Sequence, residues 1–445
     1  MRYTQLTDAQ VKQMLATIGV TSIDELFKTI PPQLRLEGPL RLHPALSEPA
    51  LLEDVRSLAA RNNDCGKLVC FLGGGAYDHF IPTVVDALAG QTEFVTAYTP
   101  YQAEASQGVL QAFYEFQTMV CEVTGMQVAN ASLYEGASAV AEAVMMATTI
   151  TGRKRILLSE GLHPDTVRVL RTYGLERGIE YAGVPLADGG LDVGELRARL
   201  DKTVGGVVIP SPNFFGCVER LDRIIPVLHE AKVLAIVVAD PLAAGMFKTP
   251  GAFGADIVVG EGQGLGIPLG YGGPYLGIMA TREEHLRKMP GRVVGMTTDR
   301  EGRRSFCLAL QTREQHIKRE KATSNVCTNQ GLMAMRAAIY LAALGREGLK
   351  TVATQCFDKA HYAAEAIAAL KGYSLCFSAP FFKEFTVQTD RGVDHVLSEC
   401  RRRGILGGIP MRRLDERYED CFLVAVTEKR TRAEINSLVA AFEAA

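Results

Sequence analysis

Asp240 closes the apolar strand VLAIVVAD. Residues 255–277 follow as ADIVVGEGQGLGIPLGYGGPYLG, which reads as another buried strand, a glycine-rich bend and a further strand. In an open α/β sheet the carboxyl ends of the strands face the ligand crevice. A carboxylate there can hold a pyridinium nitrogen protonated and so strengthen an electron sink; the plainer role for Asp240 is to open the turn at Pro241. Asn213, in PSPNFFGCVE after another apolar strand, stands at the same edge, where its amide either meets a ring substituent or caps a turn. The bend itself carries Gln263 and no lysine.

Three more stretches carry chemistry. In NASLYEGASAVAEAVMMA (130–147) a polar bend gives way to a small-residue helix, so the backbone N–H groups from Gly136 to Ser138 could receive a phosphate. Glu135 beside them is repulsive to a dianion, and Ser132 and Glu135 can equally be helix caps. Tyr98 and Tyr101 lie on an irregular link around Pro100, where hydroxyl-bearing rings either orient a small polar substrate or simply pack. HIKREKATSN (316–325) is a basic run, read as a solvated face or as a phosphate or subunit contact. The glycine clusters FLGGGAYDHFIP and LGYGGPYLG hold neither GxGxxG nor a P-loop, and therefore point to tight turns. Ten cysteines are scattered with no CxxC pair and no Cys/His cluster, so neither a metal site nor a disulfide framework is expected.

These residues need a frame to position them. Apolar residues make up 47% of the 445, charged residues 22%, and the net charge is −2, which selects neither nucleic acid nor an anionic membrane surface as a partner. The chain shows no signal-peptide core and no stretch approaching ~18 apolar residues, so a cytoplasmic protein is expected. Residues 1–75 read as short helices, with capping boxes at Thr7 and Ser22, a third start at Ser47, and an apolar stripe of Leu51, Leu52, Val55 and Leu58. A long helix spans 104–122 and ends at Gly125. Short apolar strands at 155–159, 205–210, 233–240, 256–260 and 275–280 alternate with helices, the pattern of a mostly parallel sheet covered on both faces, within a large α/β domain from 76 to 330. Residues 331–445 read as a smaller α+β domain: two helices (329–344 and 352–370), strands at 373–377, 382–388 and 421–427, and a last helix opened by Thr431.

Longer strings add a resemblance. The run from FLGGGAYDHFIPTVV to NASLYEGASAVAEA (71–143), with PSPNFFGCVE, DPLAAG, EGQGLGIPLGYGGPYLG and TREQHIKREKATSNVCTNQGL, resembles the P-proteins of the glycine cleavage system, in the first chain of the form divided between two subunits. The resemblance implies a type I pyridoxal-phosphate-dependent transferase-like fold, with an N-terminal arm, a seven-stranded large domain and a small C-terminal domain. It implies glycine dehydrogenase (decarboxylating) activity in a heteromer. The second, lysine-bearing subunit would hold pyridoxal phosphate covalently, and the aminomethyl group left by glycine would pass to the lipoyl arm of the H-protein. Gln263 lies where that companion would present lysine. An amide cannot form an imine with an aldehyde, and Lys248 and Lys288 stand elsewhere, so an independent enzyme built on another lysine is disfavoured. On this reading the chain has no catalytic residue acting alone. Tyr98 and Tyr101 are candidates to complete the partner's pocket, and Asn213, Asp240 and Gln263 line a vestigial one. The alternative is a purely structural or regulatory subunit.

Overall fold

The computed structural model describes residues 5–36, 38–96, 98–413 and 415–445. The chain divides into two compact units, Met1–Asn63 and Asp64–Ala445.

In the first unit, helix Asp8–Ile18 opens with the expected capping box, Thr7 and Gln10 satisfying each other's backbone N–H. The box expected at Ser22 does not form: Ser22 makes no capping bond, Thr21 takes Glu25 instead, and only a 3₁₀ turn Ile23–Phe27 follows. Helix Glu48–Ala60 begins after Ser47 without a side-chain cap. None of this unit's described residues is buried, and the stripe Leu51, Leu52, Val55 and Leu58 is 47–53% exposed.

The second unit is built on a seven-stranded sheet. In spatial order its strands are Val128–Ala129, Gly277–Thr281, Ile257–Glu261, Leu234–Ala239, Val204–Ser211, Arg155–Ser159 and Glu180–Val184. The last five run parallel, whereas Gly277–Thr281 is antiparallel to both its neighbours. Alternate residues of each strand feed two cores: Leu157, Val207, Val237 and Val258 on one face, Ile156, Val208, Ile236 and Ile257 on the other. Burial on both faces is why these strands are continuously apolar rather than alternating.

Helix Gln107–Thr124 lays Val109, Phe113, Phe116 and Val120 into the first core and stops at Gly125, whose φ is 70° and where an added Cβ would come within 2.2 Å of Thr249 Oγ1. Helix Gly136–Thr151 is buried all round from Ser138 to Ala147, packed between the sheet and helix Pro164–Gly174. The two helices expected at 329–344 and 352–370 are found end to end within Gly331–Ala368, separated at Gly345, whose φ of 59° and ψ of −174° are non-helical. A four-stranded antiparallel sheet follows, in the order Tyr373–Leu375, Glu384–Thr389, Cys421–Ala425 and Ile409–Pro410. Val69–Cys70 lies parallel to Ile405–Leu406, bringing Phe71 into the C-terminal core. Among the described residues no helix is long and apolar enough to cross a membrane.

Candidate functional site

A cavity of about 340 Å³ opens at the carboxyl edge of the parallel strands, reached by Glu135–Ala137, His163, Asn213, Asp240, Glu261 and, from the C-terminal sheet, Lys383 and Glu384. Its position follows from topology, because strands ending at Ser211, Ala239 and Glu261 all deliver their next residues to one edge.

At one end lies the start of helix Gly136–Thr151, where two of the first-turn donors are taken by carboxylates. Gly136 N–H donates to Glu261 Oε2 at 2.8 Å, and Ser138 N–H to Glu135 Oε1 at 2.6 Å. Glu261 Oε1 also accepts from the N–H of Gln263 (2.9 Å) and of Leu276 (3.0 Å). Burial pushes the Glu261 carboxyl up to about 7; the three N–H donors pull the other way and Glu135 reinforces the rise.

At the other end Asp240 Oδ1 accepts from Leu242 N–H at 3.0 Å, the turn-capping role open to it in the sequence. Its Oδ2 lies 2.7 Å from Lys383 Nζ. Lys383 is 3% exposed; its ammonium also lies 3.1 Å from His79 Nε2 and 3.8 Å from the centre of the Tyr77 ring. Next to it Glu384 accepts from Gly74 N–H (2.6 Å) and Tyr77 OH (2.9 Å), and burial pushes its carboxyl up to about 7.

Behind Lys383, His79 Nδ1 stands 2.6 Å from Glu428 Oε2, and the Cys356 thiol donates to the same oxygen at 3.3 Å. Burial disfavours the Glu428 carboxylate, but bonds from His79, Phe80 N–H and Cys356 outweigh it and hold the group at about 2. His79, Cys356 and Glu428 have metal-ligand atom types. Two ligands around a tetrahedral ion stand about 3.3 Å apart, so 2.6 Å is the spacing of a hydrogen bond.

The sequence candidates fare differently. Gln263 is 2% exposed and does not line the cavity: its Oε1 accepts from Tyr77 N–H (2.9 Å), and its Nε2 donates to the carbonyls of Tyr77 (3.1 Å) and Ile267 (2.7 Å). Asn213 borders the cavity with its amide consumed, donating to Gly189 O (2.6 Å) and Glu219 (2.9 Å) and accepting from the N–H groups of Phe215 and Cys217. It caps a turn and offers nothing to a ring. Tyr98 and Tyr101 lie outside this cavity, 85% and 52% exposed; Tyr101 OH accepts from the buried Arg292 at 3.1 Å. Ser132 caps no helix and instead accepts from Asn329 Nδ2 and Gln330 N–H. Glu261, Lys383, Glu384, Tyr77 and His79 were not singled out by the sequence reading. Glu261 stood inside the bend containing Gln263, but nothing in FFKEFTVQ marks Lys383 as a partner of a residue 143 positions earlier.

Residues 1–442 match the model of the family described as glycine cleavage system P-protein. The chain belongs to that family. It is 47% identical over 438 residues to a probable glycine dehydrogenase (decarboxylating) subunit 1 of Anoxybacillus flavithermus, covering 98% of each chain. A protein of the same description from Chlorobium limicola is 50% identical over 439 residues, again with 98% of each covered. A crystal structure of glycine decarboxylase (P-protein) in inhibitor-bound form aligns over 100% of both chains, with a TM-score of 0.90 and 42% identity. A Burkholderia pseudomallei sphingosine-1-phosphate lyase shares the fold at a TM-score of 0.66, 17% identity and 92% coverage of each chain.

The group implied by the family resemblance, pyridoxal phosphate, does not fit this P-protein chain's cavity. A phosphate dianion at the helix start would find the Gly136 and Ser138 N–H groups held by Glu261 and Glu135, and a unit negative charge on Glu135 would cost about 4 kcal/mol at a separation of about 4 Å and an effective dielectric near 20. A pyridine nitrogen at Asp240 would meet an ammonium already bonded there. At the bend, the amide of Gln263 is spent on backbone partners.

Proposed function

We propose that the chain is the lysine-lacking subunit of a two-chain glycine dehydrogenase (decarboxylating), working in the cytoplasm. A second subunit supplies the lysine and holds pyridoxal phosphate, whose chemistry stabilises the carbanion left when glycine loses carbon dioxide. The aminomethyl group then passes to the lipoyl arm of an H-protein. The observation that carries this reading is Gln263, whose side-chain amide is spent on Tyr77 and Ile267 at the position that the family resemblance gives to the companion's imine-forming lysine. The amine that does border the cavity, Lys383, is bonded to Asp240.

The chain's own contribution is then to a site completed at a subunit boundary. Tyr98 is exposed and Tyr101, half exposed, accepts from the buried Arg292; these are the side chains proposed to reach the partner's pocket. The complete internal use of Asn213 and Gln263 favours a second reading, a subunit that only supports its partner's architecture.

The test is reconstitution. The chain purified alone, treated with pyridoxal phosphate and borohydride, is expected to carry no stoichiometric pyridoxyl group and to catalyse no glycine–bicarbonate exchange. Co-expression with a lysine-bearing subunit is expected to produce exchange. Exchange by the isolated chain would overturn the proposal.

A further inference from the structure

We propose that Lys383 is a specificity-determining residue, a built-in cation that takes the place of a protonated pyridine at Asp240 and closes this chain's cavity to pyridoxal-type ligands. The inference rests on the reading of the chain as the subunit without a coenzyme, and explains how a type I cavity stays folded without one.

The geometry gives the ammonium three partners for its three hydrogens: Asp240 Oδ2 at 2.7 Å, His79 Nε2 at 3.1 Å and the face of Tyr77 at 3.8 Å. The network behind it fixes that arrangement. Glu428 accepts the hydrogen bond of His79 Nδ1–H, which leaves Nε2 as the lone-pair acceptor toward Lys383. Burial and the charge of Lys383 favour the neutral imidazole, against the pull of Glu428 and Asp240. Both oxygens of Asp240 are thereby engaged, one by Leu242 N–H and one by Lys383.

Two consequences follow for a ring entering the cavity. Its nitrogen would have to displace a buried ammonium from its carboxylate partner, since Lys383 is 3% exposed and 2.7 Å from Asp240. If it lay alongside instead, the adjacent positive charge would disfavour protonation of the ring, and the electron sink would be lost. Conversely, without coenzyme or Lys383, Asp240 would be a carboxylate without a cation inside the fold.

Pyridoxal, which lacks the phosphate, separates this effect from that of Glu135 and Glu261. The full chain carrying Gln263→Lys is compared with the same chain carrying Gln263→Lys and Lys383→Met. Each is incubated with pyridoxal, reduced with borohydride, and mapped by peptide mass spectrometry. Both have lost the Gln263 bonds, so the comparison isolates Lys383. Labelling at position 263 is expected to rise at least tenfold in the double variant; equal labelling of the two, high or low, overturns the proposal.

Thermal midpoints provide a second measurement if Lys383→Met folds poorly. Asp240→Asn with Lys383→Met together should melt above Lys383→Met alone, and additive losses would also overturn the proposal. Borohydride fixation on the unaltered chain at a lysine other than Lys383 would sink the coenzyme-free reading, and the labelling comparison would still decide the role of Lys383.

Discussion

Glu261 reaches from the end of its strand to the first turn of helix Gly136–Thr151 and takes the Gly136 N–H at 2.8 Å, occupying with its own carboxylate the place where an anion would dock. Burial raises this carboxyl to about 7, and does the same to Glu142, Glu219 and Glu384. A carboxyl whose folded value lies above its ordinary 4.5 keeps its proton longer in the folded state. The folded chain therefore binds more protons than the unfolded one between those values, and stability falls as pH rises through that window. Each group contributes about 3 kcal/mol at most. Glu261→Gln should flatten the fall in thermal midpoint between pH 5 and pH 8, and should differ least from the parent at the acid end. An unchanged slope would show that Glu261 does not titrate in this window.

Gln263 ties the loop at Tyr77 to the bend after its own strand with three hydrogen bonds, all buried or half-buried. Gln263→Ala removes the partners of the Tyr77 N–H and the Ile267 carbonyl without replacing them, while the Tyr77 carbonyl keeps the His79 N–H at 3.0 Å. Leaving a buried polar group unpaired costs about 1–3 kcal/mol. Urea denaturation should show a lower midpoint by that order, with the slope unchanged.

Much of the frame was legible because its strands are buried on both faces. RILLS, for instance, was expected at 155–159 and is found at Arg155–Ser159. Glu180–Val184 escaped notice: EYAGV is a sheet-edge strand with little apolar character. Val69–Cys70 is two residues long and pairs with Ile405–Leu406, a relation no local pattern encodes. At the site, Asp240 and the helix start at Gly136 were legible because strand ends and caps are local signals. Lys383 was not, because its meaning is a contact with Asp240 made only when the C-terminal sheet closes over the large one.

The turn containing Asn213 offers a separate test of how the C-terminal sheet is seated. Gly216 has φ 91°, and a Cβ there would come within 1.9 Å of the carbonyl oxygen of Glu384. Gly302 has a similar φ of 79° but faces open space. Gly302→Ala should cost only the backbone strain, about 1–2 kcal/mol. Gly216→Ala adds a clash with main chain that cannot turn aside, and should cost about 3 kcal/mol or more. Equal losses, measured by chemical denaturation, would mean that the turn and strand Glu384–Thr389 are not in contact as described.

Tyr98 and Tyr101 distinguish the shared-pocket reading from the purely supporting one, since their hydroxyls do different work in the isolated chain. Tyr98 is 85% exposed, so Tyr98→Phe should leave the thermal midpoint of the chain alone unchanged. Tyr101 OH accepts from Arg292, itself 2% exposed, and Tyr101→Phe should cost about 1 kcal/mol through that lost bond. In the complex with the lysine-bearing subunit, hydroxyls that orient substrate should lower glycine–bicarbonate exchange at least tenfold when both are removed, equivalent to about 1.4 kcal/mol of transition-state stabilisation. The decisive measurement is exchange at matched complex concentration, with assembly checked by size-exclusion chromatography. Full exchange from an intact double-variant complex would assign the chain the supporting role and remove both tyrosines from the partner's site.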